Sequence, residues 1–193
     1  MADAGRVIAG SARGIRLQAP GPGTRPLGDR VKQTLFAILE PDLPGARFLD
    51  LFAGSGAAGI EALSRGAAVA VFVERDATAV SVIGANLHAA GLDGTGRATV
   101  RRADVSAFIG RHAEEAPPYD VVLVDPPYAD TELRDRVLDW LGAPDAPVGP
   151  GARVIVKHFW RDRPPARVGL LASERERRFG ETALTFYRRQ EDG

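Results

Sequence analysis

The stretch from Phe48 to Gly59, FLDLFAGSGAAG, is the feature that most constrains this chain. A short apolar run of strand type breaks into a turn that holds three glycines, and a helix-compatible run from Ile60 to Arg65 follows. Strand, glycine turn and helix form the layout of a nucleotide-binding βα unit. Glycines let the backbone approach a ligand closely, and the first amides of the helix then face that ligand. The stretch therefore predicts an α/β fold that binds a nucleotide-like cofactor.

Two carboxylates bracket this turn. Asp50 lies inside the strand, and Glu74 ends the next apolar run about 20 residues after the first glycine, where a ribose-binding acid is expected. A carboxylate accepts hydrogen bonds from both ribose hydroxyls and repels an additional phosphate. By itself, this fingerprint fits NAD, FAD or S-adenosylmethionine.

A second stretch, from Asp120 to Tyr128, narrows the choice of ligand. A strand of buried type ends in an acid, two prolines and an aromatic residue, DPPY at 125–128. The prolines fix φ and remove two backbone donors, so that the loop is rigid and its carbonyls are free to accept. This arrangement suits a planar group with an exocyclic amine, stacked on Tyr128 with its NH2 directed at Asp125. A dehydrogenase has no use for such a loop.

Strands and helices alternate from residue 46 onward. The predicted strands cover 47–52, 69–74, 98–102, 119–125 and 152–157, and the predicted helices cover 57–65, 76–90, 104–113 and 130–141. This alternation predicts a mostly parallel sheet with helices on both faces, which binds ligands outside the carboxyl ends of its strands. Four acids fall at or just after such ends, namely Asp50, Glu74, Asp104 and Asp125. A hairpin of residues 174–179 and 182–188 is expected to close the sheet with antiparallel pairing, which makes seven strands.

Composition excludes several classes of protein. The 193 residues carry no net charge, no cysteine and three histidines, which excludes disulfides and thiolate metal sites and argues against a structural zinc. No apolar run approaches the roughly 20 residues of a membrane span, and the N-terminus lacks the hydrophobic region of a signal peptide. We expect a soluble, cytoplasmic, monomeric protein with no metal site and no membrane partner.

The first 28 residues are predicted to form an extension. Residues 6–10 and 14–17 flank a short turn and predict a β-hairpin, and residues 18–28, rich in proline and glycine, predict a linker. Arg13 and Arg16 have two interpretations, which stay open at this point. They contact RNA phosphates, or they lie on a solvated hairpin that packs against the domain.

A helix is predicted directly after this linker. Asp29 is a candidate N-cap for a helix over residues 30–39. Arg25, Asp29 and Arg30 cluster where the helix starts, either as a structural ion pair or as a clamp on the substrate side.

Several motifs together resemble one known family. They are DLFAGSG at 50–56, EALSRGA at 61–67, FVE at 72–74 and DPPY at 125–128. The N-terminal motifs IAG at 8–10, ARG at 12–14, RP at 25–26, DRV at 29–31 and LF at 35–36 follow the same family's order and spacing. The chain is thus similar to the RsmD family of 16S ribosomal RNA guanine-N2 methyltransferases. Since DPPY is shared with adenine-N6 enzymes, the N-terminal motifs decide the resemblance.

The resemblance implies a Rossmann-like class I methyltransferase fold over residues 29–193 and an RNA-contacting extension over residues 1–28. It implies S-adenosylmethionine as cofactor and 16S ribosomal RNA, or the small ribosomal subunit, as partner. The implied cofactor residues are Asp50, Phe52, Ala53, Gly54, Ser55, Gly56, Glu74, Arg75, Asp104 and Val105. The implied substrate residues are Arg13, Arg16, Arg25, Asp29 and Arg30. The implied catalytic residues are Asp125, Pro126, Pro127 and Tyr128.

The resemblance also implies a role for the acids near the glycine turn. Asp50 and the turn hold the methionine part of the cofactor, Glu74 holds the ribose hydroxyls, and Asp104 lies near the adenine.

Two stretches depart from the family pattern. Leu27-Gly28 stands where two hydroxyl residues are common, and Val156-Lys157-His158 ends a strand where an acid is more usual. Both departures lie on the implied substrate side.

The expected chemistry is methyl transfer to guanine N2. The Asp125 side chain and the Pro126 carbonyl accept the two N–H bonds of the amine, and Tyr128 stacks on the flipped base. The alternatives are an adenine-N6 methyltransferase acting on DNA or RNA, a glutamine-N5 protein methyltransferase, an NAD-dependent oxidoreductase and a non-catalytic RNA-binding module. The glutamine-N5 group resembles NPPY, whereas this chain has Asp125.

Overall fold

A computed structural model describes residues 3–21, 27–109 and 117–191 of the chain. Arg25, one of the predicted substrate residues, therefore lies outside the described residues. The chain divides into two compact units, Met1–Val105 and Ser106–Gly193. In the described ranges, no helix is both long enough and apolar enough to span a membrane.

The first unit opens with a small hairpin and continues with alternating helices and strands. Its elements are β1 (Asp3–Arg6), β2 (Arg16–Gln18), α1 (Asp29–Leu39), β3 (Arg47–Asp50), α2 (Ala57–Ser64), β4 (Val69–Glu74), α3 (Ala77–Ala89) and β5 (Ala98–Arg102). A short 3-10 helix, Glu40–Asp42, follows α1, and α4 (Val105–Ile109) begins where this unit ends. β1 and β2 pair antiparallel, whereas β5, β4 and β3 lie side by side in that order with parallel pairing.

Two parallel strands of the first unit, β3 and β4, are covered on both faces. Consecutive strand residues point to opposite faces, and Phe48 and Leu49 in β3, like Phe72 and Val73 in β4, are completely buried. This burial explains why the strands are continuous apolar runs in the sequence. Helix α2 packs closely on β4, because a Cβ atom placed on Gly59 would lie 2.3 Å from the Phe72 ring.

The second unit combines one parallel pair of strands with an antiparallel meander. Its elements are β6 (Tyr119–Val124), α5 (Thr131–Gly142), β7 (Val148–Phe159), β8 (Arg167–Val168), β9 (Leu171–Phe179) and β10 (Thr182–Arg189). β6 pairs parallel with β7, and β10 pairs antiparallel with both β7 and β9. Helix α5 is capped by Asp130, whose carboxylate accepts a 3.1 Å hydrogen bond from the N–H of Leu133.

The predicted fold class is confirmed, since the chain is an α/β protein with a mostly parallel sheet and a small antiparallel hairpin at its N-terminus. The closing antiparallel hairpin is also confirmed in β9 and β10. Among the described residues, β3 to β10 make eight strands rather than the predicted seven, because the two-residue β8 adds a short strand beside β9.

Some predicted boundaries are wrong. Asp29 is not an N-cap, because the first helical hydrogen bond runs from Lys32 N to Gly28 O, so that Gly28 holds the cap position. β7 begins four residues earlier than the predicted strand, at Val148 instead of 152. The strands of the N-terminal hairpin lie farther from its turn than predicted. The prediction of a helix to residue 113 falls partly on residues 110–116, outside the described residues.

Candidate functional site

The glycine turn joins the end of β3 to α2 in a left-handed conformation. Gly54 has φ of 54° and Gly56 has φ of 78°, both in the region where side chains are disfavoured. The N–H of Gly56 donates to the Ala53 carbonyl at 2.7 Å, and the N–H of Ala53 donates to the Val73 carbonyl at 3.0 Å. The turn is therefore tight and is tied to the end of the neighbouring strand β4.

Glu74 braces this turn from the end of β4. Its Oε2 accepts a hydrogen bond from the N–H of Gly54 at 2.8 Å, and its Oε1 accepts one from the N–H of Asp76 at 2.9 Å. Each carboxylate oxygen has two lone pairs, so both oxygens keep acceptor capacity for hydroxyl groups. The structure thus brings Glu74 to the turn, as the sequence spacing predicts.

Asn86 is a part of this site that the sequence analysis missed. Its Nδ2 donates to the Ser55 carbonyl at 2.8 Å and to the Gln18 carbonyl at 2.9 Å, while its Oδ1 accepts from the N–H of Gln18 at 2.8 Å. One buried side chain on α3 therefore connects the glycine turn to β2 of the hairpin. An asparagine within a helical pattern gives no sequence signal of this role.

The other predicted cofactor residues lie near the turn and differ in how far their side chains are buried. Asp50 is buried at the end of β3. Ala103 N donates to the Glu74 carbonyl at 3.0 Å, which brings the end of β5, and hence Asp104, beside the end of β4. Ala53, Ser55 and Val105 are buried, Phe52 is half-buried, and Arg75 and Asp104 are exposed. The structure therefore gathers the predicted residues at the carboxyl ends of β3, β4 and β5.

The second unit holds the predicted catalytic residues. Asp125 directly follows β6, and its carboxylate contacts the ammonium group of Lys157 on β7. The Lys157 Nζ lies 2.7 Å from Oδ1 and 3.0 Å from Oδ2 of Asp125. Burial raises the pKa of the Asp125 carboxyl, and the charge and hydrogen bonds of Lys157 oppose that rise. The sequence analysis assigned no role to Lys157, because 32 residues separate it from Asp125.

Two contacts hold the Tyr128 side chain, one at its hydroxyl and one at its ring. Its hydroxyl lies 2.6 Å from Oγ1 of Thr182, which fixes the direction of the ring. The Lys157 Nζ lies 5.2 Å from the ring centroid, within the range of a cation–π interaction. The ring of Tyr128 is half-buried and therefore keeps part of its surface accessible.

One expectation for the two prolines is wrong. The carbonyl of Pro127 is not free, because it accepts a 2.9 Å hydrogen bond from the N–H of Asp130. This bond closes a turn just before α5, and Asp130 is also the N-cap of that helix. Pro126 is buried and Pro127 is exposed. The role of the Pro126 carbonyl as an acceptor for the substrate stays a prediction.

His158 and Trp160 lie on either side of the end of β7. His158 is buried, with Nδ1 2.8 Å from the Phe159 carbonyl and Nε2 2.9 Å from Oγ1 of Thr185. Burial lowers the pKa of its imidazole. The guanidinium carbon of Arg178 lies over the Trp160 ring, 3.6 Å from the ring centroid. These contacts make His158 a packing residue of the second unit.

The N-terminal hairpin packs on α2 through two polar side chains. Glu61 accepts hydrogen bonds from the N–H groups of Ile8 at 2.8 Å and Ala9 at 3.0 Å. Ser64 accepts one from the N–H of Ala12 at 2.9 Å and donates one to the Ala9 carbonyl at 2.6 Å. The hairpin is therefore a packed element of the first unit.

The predicted substrate residues of this region remain at the surface. Arg13, Arg16, Asp29 and Arg30 are all exposed. Arg16 lies 3.6 Å from Asp3, and both side chains are largely exposed, so the pair is weak. Within the described ranges, the side chains of Asp29 and Arg30 do not form an ion pair with each other. No group of side chains in the described ranges has the composition of a metal site.

Comparison with known proteins gives a consistent result. A family model described as Conserved hypothetical protein 95 matches residues 5–188. The YlbH protein of Bacillus subtilis, an rRNA methyltransferase by name, is 35% identical over 96% of this chain and 99% of its own length. Ribosomal RNA small subunit methyltransferase D of Escherichia coli K12 is 40% identical over 68% of this chain and 64% of its own length.

Solved structures show the same similarity. The yhhF protein of Escherichia coli, a methyltransferase by name, has a TM-score of 0.83 and 33% identity, over 96% of this chain and 97% of that one. The HI0767 protein of Haemophilus influenzae, a methylase by name, has a TM-score of 0.81 and 30% identity, over 98% of this chain and 100% of that one. Both similarities extend over nearly the full length of the chain.

Proposed function

We propose that this chain, which belongs to the RsmD family represented by the Conserved hypothetical protein 95 model, methylates guanine N2 in small-subunit ribosomal RNA. The family is one of class I methyltransferases, and their cofactor is S-adenosylmethionine. Relatives that match most of this chain bear the name of rRNA methyltransferases. The guanine and its N2 atom go beyond those names. The loop of residues 125–128 supports an exocyclic amine as the acceptor, and the resemblance of the N-terminal motifs to the family supports guanine over adenine.

The residues of the first unit fit this cofactor. Gly54 and Gly56 have no side chains and positive φ, which lets the backbone of the turn approach a ligand, and the first turn of α2 carries neither an acid nor a side-chain cap. The amides of such a helix start favour an anionic group, here the carboxylate of the methionine part. Glu74 has acceptors left for the two ribose hydroxyls. The fit extends to Asp104, whose place beside the end of β4 suits a contact with the adenine amine.

The observation that favours an exocyclic amine as the methyl acceptor is the largely buried carboxylate of Asp125, which shares its contact with Lys157 with the fixed ring of Tyr128. Asp125 offers acceptors to the N–H bonds of the amine, and the ring of Tyr128 offers a surface for the base. Stacking on such a ring contributes about 1–3 kcal/mol per base. A base must leave its helix to reach this loop, so the substrate is a flipped or looped-out nucleotide.

The chemistry follows from these contacts. The N2 lone pair of guanine is delocalised into the ring, which makes the amine a poor nucleophile. Hydrogen bonds to Asp125 and to the Pro126 carbonyl draw the nitrogen towards tetrahedral geometry and localise the lone pair on it. The glycine turn and Glu74 would hold S-adenosylmethionine, which would supply an electrophilic sulfonium methyl group, with the electron pair of the methyl–sulfur bond left on sulfur. N2 forms the new N–C bond and then loses one proton to Asp125 or to water.

Positioning supplies most of the rate enhancement in this scheme, because the sulfonium methyl is already electrophilic. Asp125 does not need to act as a strong base before the transfer. Burial, which raises the pKa of Asp125, makes its carboxylate a better hydrogen-bond acceptor and a better recipient of the released proton.

The test is the identity of the modified nucleoside. Small ribosomal subunits and naked 16S rRNA from a strain that lacks this chain are incubated with the protein and methyl-labelled S-adenosylmethionine, then digested and analysed by mass spectrometry. N2-methylguanosine is the expected product. Detection of N6-methyladenosine instead would show that the substrate base is an adenine. The absence of label from both RNAs would contradict the proposed function.

Substitution of Asp125 links that product to the loop. Asp125→Asn is expected to reduce methyl transfer by about 100-fold or more, because the amide loses the charge and half of the acceptor capacity. Affinity for S-adenosylhomocysteine, measured by calorimetry, should stay unchanged. Asp139→Asn, an exposed aspartate of α5, is the matched control and should keep wild-type activity. Equal loss of transfer and of cofactor affinity in Asp125→Asn would make Asp125 a structural residue.

A further inference from the structure

Lys157 contacts both residues on which the proposed chemistry depends. Its Nζ bonds the two oxygens of the Asp125 carboxylate at 2.7 and 3.0 Å, and it lies 5.2 Å from the centroid of the Tyr128 ring. Both charged side chains are largely buried, with 12% of Lys157 and 16% of Asp125 exposed. A single ammonium group thus lies between the acceptor and the stacking surface of one short loop.

The burial of this pair argues for a role in the site. Exposed ion pairs of the second unit, such as that of Arg163 with Glu176, cost little to form. A buried pair loses the hydration of both charges, and this loss offsets much of their attraction, so it contributes little net stability. The contact of Lys157 with Asp125 is therefore better explained by what it does to the carboxylate.

The geometry leaves Asp125 able to bind a substrate. A carboxylate offers about four lone-pair positions, and Lys157 occupies one on each oxygen. Acceptors therefore remain for an incoming amine while the ammonium group stays in place. Lys157 has three N–H donors, and two of them are sufficient for the contacts with Asp125.

We propose that Lys157 is a positioning residue, which holds the Asp125 carboxylate ionised and in one orientation beside the Tyr128 ring. This inference rests on the proposed methyltransferase function. An acid at position 157 would repel Asp125, whereas a lysine there stabilises its charge.

The charge balance around Asp125 sets the direction of the expected effect. Burial raises the pKa of Asp125, and Lys157 is the charged group that lowers it among the described residues. Tyr128 faces Lys157 with its ring, and its hydroxyl is engaged with Thr182. Removal of Lys157 therefore raises the pKa of Asp125 further. The carboxylate then becomes available only at higher pH.

Kinetics of three variants test this role. Lys157→Met keeps the length of the side chain without its charge, and Lys157→Arg keeps the charge. Arg153→Met removes another cation of β7 that pairs with Glu174, and it serves as the control. In Lys157→Met we expect kcat to fall by about 10- to 100-fold, with an unchanged KM for S-adenosylmethionine. The rising limb of its pH profile should move to higher pH, and Lys157→Arg should restore that limb. A wild-type kcat and pH profile in Lys157→Met would overturn the proposal.

A titration without substrate separates this proposal from the proposed function. The 13C signal of the Asp125 carboxyl is followed against pH by NMR in the wild type and in Lys157→Met, with no cofactor or RNA present. A higher pKa in the variant supports the proposal, even if the wild type methylates no RNA. The same pKa in both proteins contradicts it. Circular dichroism verifies folding, and Lys157→Gln replaces Lys157→Met in both experiments if the latter is unfolded.

Discussion

The backbone N–H of Gly54 donates a 2.8 Å hydrogen bond to the Glu74 carboxylate. This bond joins the glycine turn directly to the acid that is predicted to bind the ribose of the cofactor. Glu74→Gln leaves one acceptor oxygen for Gly54, Asp76 and the ribose hydroxyls together. Since hydrogen bonds to a charged group contribute about 1.5–3 kcal/mol, we expect affinity for S-adenosylhomocysteine to fall by about 10- to 100-fold. Isothermal calorimetry measures this change directly.

The control for this prediction is Glu132→Gln. Glu132 is an exposed acid in the first turn of α5, and its substitution should leave the affinity unchanged. Thermal unfolding of both variants verifies that the fold is intact. An affinity of Glu74→Gln equal to that of the wild type would remove Glu74 from the cofactor site.

The packing of α2 on β4 predicts opposite effects for two glycine substitutions. A Cβ atom on Gly59 would lie 2.3 and 2.6 Å from two atoms of the Phe72 ring, which is completely buried. Gly59→Ala should therefore lower the free energy of unfolding by about 1–3 kcal/mol. Gly84 lies within α3, and nothing stands within 4 Å of a Cβ atom placed on it. Gly84→Ala should stabilise the protein by about 0.5–1 kcal/mol.

Thermal unfolding distinguishes these outcomes. The melting temperature should fall by a few degrees in Gly59→Ala and rise by a smaller amount in Gly84→Ala, since about 1 kcal/mol corresponds to 2–4 °C at this chain length. Equal melting temperatures of the two variants would show that Phe72 moves without cost. In that case Gly59 would not be required for the contact between α2 and β4.

The sequence predicted the parallel part of the fold well and the side-chain contacts poorly. β3, β4 and β6 are recognisable because burial on both faces leaves a continuous apolar run. The contact of Lys157 with Asp125 has no such signal, because it depends on the pairing of β6 with β7 and not on any spacing along the chain. Glu61 is a similar case, since an acid within a helix is ordinarily exposed, yet here it is completely buried under the hairpin.

The exposed arginines of the hairpin predict a measurable electrostatic contribution to RNA binding. Arg13→Ala combined with Arg16→Ala should weaken binding of 16S rRNA, because each guanidinium in contact with a phosphate releases a counterion. For two contacts with single-stranded RNA, the slope of log K against log salt concentration should decrease by about 1.4. Filter binding or fluorescence anisotropy at several salt concentrations measures this slope.

A second pair of arginines tests whether RNA binding depends on where in the protein the arginines lie. Arg136 in α5 and Arg167 in β8 are exposed, so their joint replacement by alanine removes the same charge from the second unit. That control should change the slope less than the substitution in the hairpin. If the two double variants have the same slope and affinity, the hairpin is a packing element and the arginines do not contact RNA.

His158 predicts how stability depends on pH. Burial lowers the pKa of its imidazole in the folded protein, whereas the unfolded chain has the ordinary value of about 6.5. Below that value the unfolded chain binds a proton that the native protein does not, so the stability contributed by neutral His158 is lost as the pH falls. The loss is at most about 1.4 kcal/mol per pH unit, and it ends below the folded pKa.

The measurement is the melting temperature of the wild type relative to His158→Gln between pH 8 and pH 5. The wild type should lose stability relative to this variant as the pH falls through 6.5, because glutamine does not titrate. His88→Gln is the matched control with the opposite sign, since a hydrogen bond to Asp93 raises the pKa of the exposed His88. Relative to that variant the wild type should gain stability at low pH. Parallel curves for the wild type and His158→Gln would mean that His158 accepts a proton in its buried position, and that its contact with Thr185 rearranges on protonation.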